Sequence, residues 1–222
     1  HAFGRTYGEH REALELDWDE YVHLKAFAES FGLVFFATAF DVPSVRFLAA
    51  LGVSAIKIGS GQVTNLRVLT EAAETGLPLI VSTGGCYLDD VRNTVELLEK
   101  LGAHFALLQC TSIYPTAAKD LHLAVIALYR RVFPDVVLGF SDHYDGIAIG
   151  PPAFQLGARI FEKHFTLSRS WKGSDQALSL EPEGLRRYVR DLHAVRLAIG
   201  DGVKRRLDAE IPALKKMARR DV

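Results

Sequence analysis

At 222 residues the chain is long enough for one large domain with a substantial core. Hydrophobic residues at 49% exclude a disordered chain, and 26 basic against 27 acidic residues, net −1, give no field that would draw it to nucleic acid or an anionic membrane. Two cysteines, Cys86 and Cys110, exclude a disulfide framework and read as reduced thiols of a cytoplasmic protein; no apolar run reaches the ~18 residues of a membrane span, and no signal peptide is visible.

In chain order, residues 1–16, HAFGRTYGEHREALEL, carry no strand pattern. The chain opens with His1 in place of Met, as a fragment or a processed form would. DWDEYVHLKAFAESFG (17–32) predicts a helix leading into the apolar run LVFFAT (33–38). The same order then repeats. Short β-type runs follow at AIKIGS (55–60), PLIVST (78–83), FALLQCTS (105–112), VVLGFSDH (136–143) and RIFEKHF (159–165), with helical spacing between them. In VRNTVELLEKLG, Val91, Val95, Leu98 and Leu101 share one helix face. Gly32, Gly52, Gly76, Gly102 and Gly157 stand where helices should stop. The basic stretches at 204–206 and 215–220 read as a solvated helix face.

Strands alternating with helices imply a parallel sheet buried on both faces. A doubly wound open sheet and a (β/α)8 TIM-type barrel both satisfy that pattern. No strand is followed by a GxGxxG turn, which argues against a dinucleotide-binding open sheet. Nearly every strand instead ends in polar residues: Thr38; Lys57 and Ser60; Ser82 and Thr83; Thr111 and Ser112; Ser141 and His143; Glu162 and His164. In a barrel these ends converge on one mouth, where active sites sit. Six strands are visible where the barrel needs eight, as if two units precede His1. The expectation is a partial barrel over 1–205, about six β/α units, and a linker helix over 206–222. Its two open edges would invite association.

His143 and His164 fall on consecutive strands, ~4.8 Å apart, so both imidazoles can meet at the mouth. With carboxylates nearby they suit a first-row divalent ion such as Mn²⁺ or Fe²⁺. The plainer alternative is two hydrogen-bonded histidines that orient loops. Lys57, between Ile56 and Ile58, must meet an anion if it is buried. With Ser60, Ser82, Thr83, Ser112 and Ser141 it would make a ring of donors suited to phosphate or carboxylate, although single strand-end hydroxyls also cap helices. Lys163 should point away from His164 by strand alternation. Asp175 can contact a polyol or occupy a surface turn, and Tyr114 can stack on a sugar or simply pack.

The ordered series ATAFD, KIGSGQ, IVSTGG, LLQCTSIYP, GFSDH and FEKHFTL resembles the sialic acid synthase family, which makes N-acetylneuraminate and other nonulosonic acids. The likeness runs from about residue 17 to 220. It implies a (β/α)8 barrel followed by an antifreeze-like domain, and condensation of phosphoenolpyruvate with an N-acetylated aldose of the N-acetylmannosamine type. It implies a divalent metal, Mn²⁺ above Mg²⁺ or Co²⁺, on His143 and His164. Thr38, Lys57, Ser60, Ser82, Ser112 and Ser141 would hold phosphoenolpyruvate. Tyr114 and Asp175 would face the sugar. Glu162, Lys57 and Gln62 would lie at the reacting centre, with Asp142 turned away to fix its loop. The family's full-length members are homodimers.

Three departures stand out. The Glu, Lys and Gln that the family carries on its first two strands have no counterpart here. The family's SGE reads SGQ, so Gln62 replaces a carboxylate. MARRDV at 217–222 resembles the start of the antifreeze-like domain, where the chain stops. Two alternatives accompany the synthase reading: another phosphoenolpyruvate-dependent 3-deoxy-sugar acid synthase, and a non-catalytic sugar- or metal-binding barrel fragment.

Overall fold

The structure, a computed structural model, describes residues 2–217. Most of the MARRDV stretch, and with it residues 218–222 of the expected linker, lies outside the described residues. Two helices lead in, α1 (Tyr7–Glu12) and α2 (Trp18–Ser30). Strands and helices then alternate: β1 (Ala37–Ala39), α3 (Val42–Leu51), β2 (Ile56–Ile58), α4 (Leu66–Glu74), β3 (Leu79–Ser82), α5 (Leu88–Lys100), β4 (Phe105–Cys110), α6 (Ala124–Val132), β5 (Val137–Asp142), α7 (Gly150–Leu156), β6 (Ile160–Lys163) and α8 (Pro182–Ala198). A short α9 (Ile211–Lys216) occupies the linker segment.

The helices begin and end where local chemistry directs. Asp17 caps α2 in a reciprocal pair with Glu20, and Asp41 accepts from the Ser44 amide at the start of α3. Gly52 closes α3 at φ +71°, a conformation costly for any side chain with a Cβ.

All six strands are parallel and pair in sequence order, β1 to β6. Their outer faces pack on the helices: Ile56, Ile58, Leu79, Val81, Leu107 and Phe140 are fully or almost fully buried there. Each such side chain stabilises by roughly 1.5–3 kcal/mol before the entropy of ordering is charged against it. The alternate positions face the other way, and the sheet curls around them. Flat, β2 and β6 would lie roughly 19 Å apart, at ~4.8 Å per strand. Yet Lys57 Nζ of β2 comes within 3.7 Å of Glu162 Oε1 of β6. The result is a curled six-strand half-barrel.

Gly139 permits that close inner packing. A Cβ there would fall 2.6 Å from the Ile160 carbonyl oxygen and 2.9 Å from Leu108 Cγ. The N-terminal segment reaches across the open side: Arg11 lies over the Phe40 ring beyond β1, and Lys172, in the loop after β6, lies over Phe3.

Two expectations need correction. The first strand begins at Ala37 and not Leu33, because β1 has only β2 to pair with, over Ala37–Ala39. Leu33 and Val34 are left 62% and 66% exposed. The last run pairs only over Ile160–Lys163, with Phe165 instead bridging Leu180.

Candidate active site at the strand ends

Inside the curl, Lys57 is the central cation. Its Nζ donates to Ser82 Oγ at 2.7 Å and to the Ile58 carbonyl at 3.0 Å. Burial pushes its pKa below the ordinary lysine value, an effect that Glu162 partly offsets. Glu162, half-exposed, accepts from Ser141 Oγ at 2.6 Å through Oε2. Ser82, Lys57, Glu162 and Ser141 thus form one continuous network from β2, β3, β5 and β6.

A second cradle adjoins it. Gly84 N donates to Ser60 Oγ at 2.9 Å, and Ser60 Oγ lies 3.5 Å from Cys110 Sγ, which is itself 3.8 Å from Ser112 Oγ. A Cβ on Gly84 would sit 2.2 Å from Ser112 Oγ and 2.8 Å from Ser60 Oγ. Two hydroxyls therefore close around a bare backbone, an arrangement suited to a compact oxyanion.

The two imidazoles meet as expected, with ring centroids 5.2 Å apart. His143 Nδ1 donates to the Thr111 carbonyl at 3.0 Å, which leaves Nε2 as the lone-pair nitrogen of the neutral ring. Burial works to lower the pKa of His143, but contacts with Cys110 and Thr111 carry it above the ordinary histidine value. Burial and the adjacent His143 hold His164 below that value. Tyr114, just before a cis Tyr114–Pro115 bond, lies against both rings, with centroids 4.2 Å from His143 and 5.7 Å from His164. Asp175 Oδ2 approaches His164 Nδ1 to 3.9 Å. Among the described residues no group of three or more His, Cys, Asp or Glu gathers into a metal cage. The imidazoles can supply two nitrogen donors and leave the remaining positions to oxygens of substrate or water.

The geometry thus brings together Lys57, Ser60, Ser82, Ser112, Ser141, Glu162, Tyr114, His143, His164 and Asp175. Thr38 pairs in register with Lys57 but joins no ring member by a hydrogen bond; it lines a cleft at the sheet edge with Arg11, Tyr21 and Asp41. Gln62 sits on the turn Ser60–Gln62, where its Oε1 accepts from Asn65 Nδ2 at 2.8 Å. Thr83 does not belong to the donor ring. It follows Ser82 and so faces outward, bonded to the Leu108 carbonyl and to Tyr129 OH of α6. Asp142 also turns outward and meets Lys163 there.

Sequence reasoning missed Gly84 and Cys110. Leu108, Cys110 and Ser112 fall at every second residue, so the alternation that placed Ser112 also places the thiol inward. The paired glycines of STGG hinted at a close approach.

The NeuB family matches residues 2–204. The chain is 39% identical to human N-acetylneuraminate-9-phosphate synthase over 219 residues, covering 99% of this chain and 61% of that protein. It is 46% identical to the Drosophila melanogaster N-acetylneuraminate-9-phosphate synthase over 187 residues, covering 84% and 50%. The chain thus spans about half to three-fifths of these relatives' lengths. The crystal structure of the N-acetylneuraminic acid (sialic acid) synthetase from Leptospira borgpetersenii serovar Hardjo-bovis superposes with a TM-score of 0.84 at 32% identity, covering 97% of this chain and 77% of that one. With the ordered strand-end motifs carried on a matching fold, the chain belongs to the NeuB family.

Proposed function

We propose that the chain is the barrel part of a synthase that condenses phosphoenolpyruvate with an N-acetylated aldose to give a nonulosonic acid and phosphate. The observation that carries this reading is the convergence, on one curled face, of an anion cradle and a pair of imidazoles. In the full-length protein the six units belong to an eight-unit barrel, active in the cytoplasm as a homodimer. The product named for the human and Drosophila relatives, a 9-phosphate, favours an N-acetylmannosamine 6-phosphate as aldose.

Lys57, Ser60, Ser82, Ser112 and Ser141 would hold the phosphate and carboxylate of phosphoenolpyruvate, with Thr38 at the rim. Fixing both anionic ends aims the enol carbon at the aldehyde and removes much of the entropic barrier. The carbon–carbon bond forms as the enol carbon attacks. Water then adds at the resulting oxocarbenium carbon, and phosphate leaves by C–O cleavage. Glu162, bonded to Ser141 and facing Lys57, would hold or move a proton at that carbon. Gln62 would lie near the same centre as a neutral residue. Tyr114 and Asp175 would orient the aldose. A divalent ion on His143 and His164, Mn²⁺ by preference, supplies Lewis-acid polarisation of the aldehyde when bound.

The test is a calorimetric titration of the chain and of His143→Ala with Mn²⁺, with phosphoenolpyruvate present. Micromolar binding that disappears in the variant is expected. A folded chain that binds no Mn²⁺ would refute the metal reading.

A further inference from the structure

The Asp142–Lys163 ion pair lies on the outer face of the sheet, away from the cradle, with N···O 3.0 Å and both side chains almost fully buried. The two residues are Cα partners in the β5–β6 register. Both strands end at this rung. His143 and His164 therefore stand one residue beyond the last rung, where Thr116 N donates to the His143 carbonyl and Leu180 N to the His164 carbonyl, each at 2.9 Å.

Lys163 adds a side-chain link between the two strand ends. Its Nζ pairs with Asp142, on one side of His143, and donates to the Tyr144 carbonyl on the other. Asp142 Oδ1 accepts from Tyr144 N at 2.9 Å and closes the same bracket. A side chain of β6, from the residue that directly precedes His164, thus holds the Asp142 carboxylate on one side of His143 and the Tyr144 backbone on the other. Helices cover this face. Tyr188 of α8 packs edge-on against Phe161, which shares the outward face with Lys163, and a Cβ on Gly150 of α7 would come within 2.6 Å of its ring.

We propose that the Asp142–Lys163 pair is a positioning device that sets the separation and orientation of the two imidazoles, acting through the residues on either side of His143. The inference rests on the reading of His143 and His164 as metal ligands. A buried ion pair is often no more stabilising than an apolar pair of similar volume. Outer residues that orient metal-binding histidines commonly govern affinity by 10- to 100-fold. The pair should therefore matter more to metal affinity than to folding.

The experiment measures Mn²⁺ affinity by electron paramagnetic resonance, and Co²⁺ coordination by visible absorption. The variants are Lys163→Met and Asp142→Leu/Lys163→Met, with Leu98→Ala as a destabilised control from α5, remote from the site. The expected result is 10- to 100-fold weaker Mn²⁺ binding and an altered Co²⁺ spectrum in both pair variants. Leu98→Ala should keep wild-type affinity despite its lower melting temperature. Wild-type affinity in a folded double variant would overturn this inference alone. Failure of both pair variants to fold would also overturn it, by making the pair a requirement of the fold. Absence of Mn²⁺ binding by the wild-type chain would overturn the metal reading, and this inference with it.

Discussion

Gly84→Ala puts one methyl group into the anion cradle. The new Cβ would lie 2.2 Å from Ser112 Oγ, 2.8 Å from Ser60 Oγ and 3.0 Å from Cys110 Sγ. Ordinary contact begins near 3.4 Å, so the Ser112 hydroxyl must withdraw by about 1 Å and the Ser60 hydroxyl by about half that. A donor displaced so far loses its bond to a charged ligand, about 1.5–3 kcal/mol. At 1.4 kcal/mol per decade, phosphoenolpyruvate should bind roughly 10- to 150-fold more weakly. Gly84 does not adopt a left-handed conformation, so alanine fits its backbone and the fold should persist. Gly85 is the internal control. Its φ is +74°, and nothing lies within 4 Å of its Cβ position. Gly85→Ala should therefore cost about 1–2 kcal/mol of stability and leave affinity unchanged. Isothermal titration with phosphoenolpyruvate and inorganic phosphate, paired with urea denaturation, measures both. If folded Gly84→Ala binds phosphoenolpyruvate within threefold of wild type, the cradle is not the anion site.

Gly139→Ala should destabilise by about 1–3 kcal/mol in urea, because its methyl meets the immovable Ile160 carbonyl at 2.6 Å; a change below 0.5 kcal/mol would contradict the close inner packing. Thr83→Val should cost about 1 kcal/mol through its bonds to the Leu108 carbonyl and Tyr129, with unchanged phosphoenolpyruvate affinity; a large affinity loss would return Thr83 to the donor ring. Lys57 has a folded pKa below its ordinary value, chiefly from burial. The unfolded chain therefore holds more protons between that pKa and about 10.4, and Lys57 makes stability rise with pH through this window. Lys57→Met should remove that rise in urea titrations at alkaline pH and weaken phosphoenolpyruvate binding at least about tenfold. An identical alkaline slope in the variant would show that the lysine is not desolvated.

Much of the site was legible because strand alternation is local. Ser141 and His143 must share a face, as must Glu162 and His164, so Asp142 and Lys163 must share the opposite one. The same rule should have removed Thr83 from the ring, since it adjoins Ser82. Thr38 and Gln62 were harder. Each lies near the expected strand end, but one faces an edge cleft and the other settles on Asn65 at 2.8 Å, partners that only the folded turn supplies.

The order of strands and helices, the glycine stops and the polar strand ends are written locally in the chain, because propensity, capping and side-chain periodicity act over a few residues. Tertiary structure decided the rest. Lys57 meets Glu162 only because twist and inner packing, including the space left at Gly139, curl the sheet. The Gly84 cradle depends on hydroxyls from two neighbouring strands, and the Lys163 clamp on where the β5–β6 ladder ends. These are distances across the sheet, set by register and curvature summed over all six strands, and no short window of sequence encodes them.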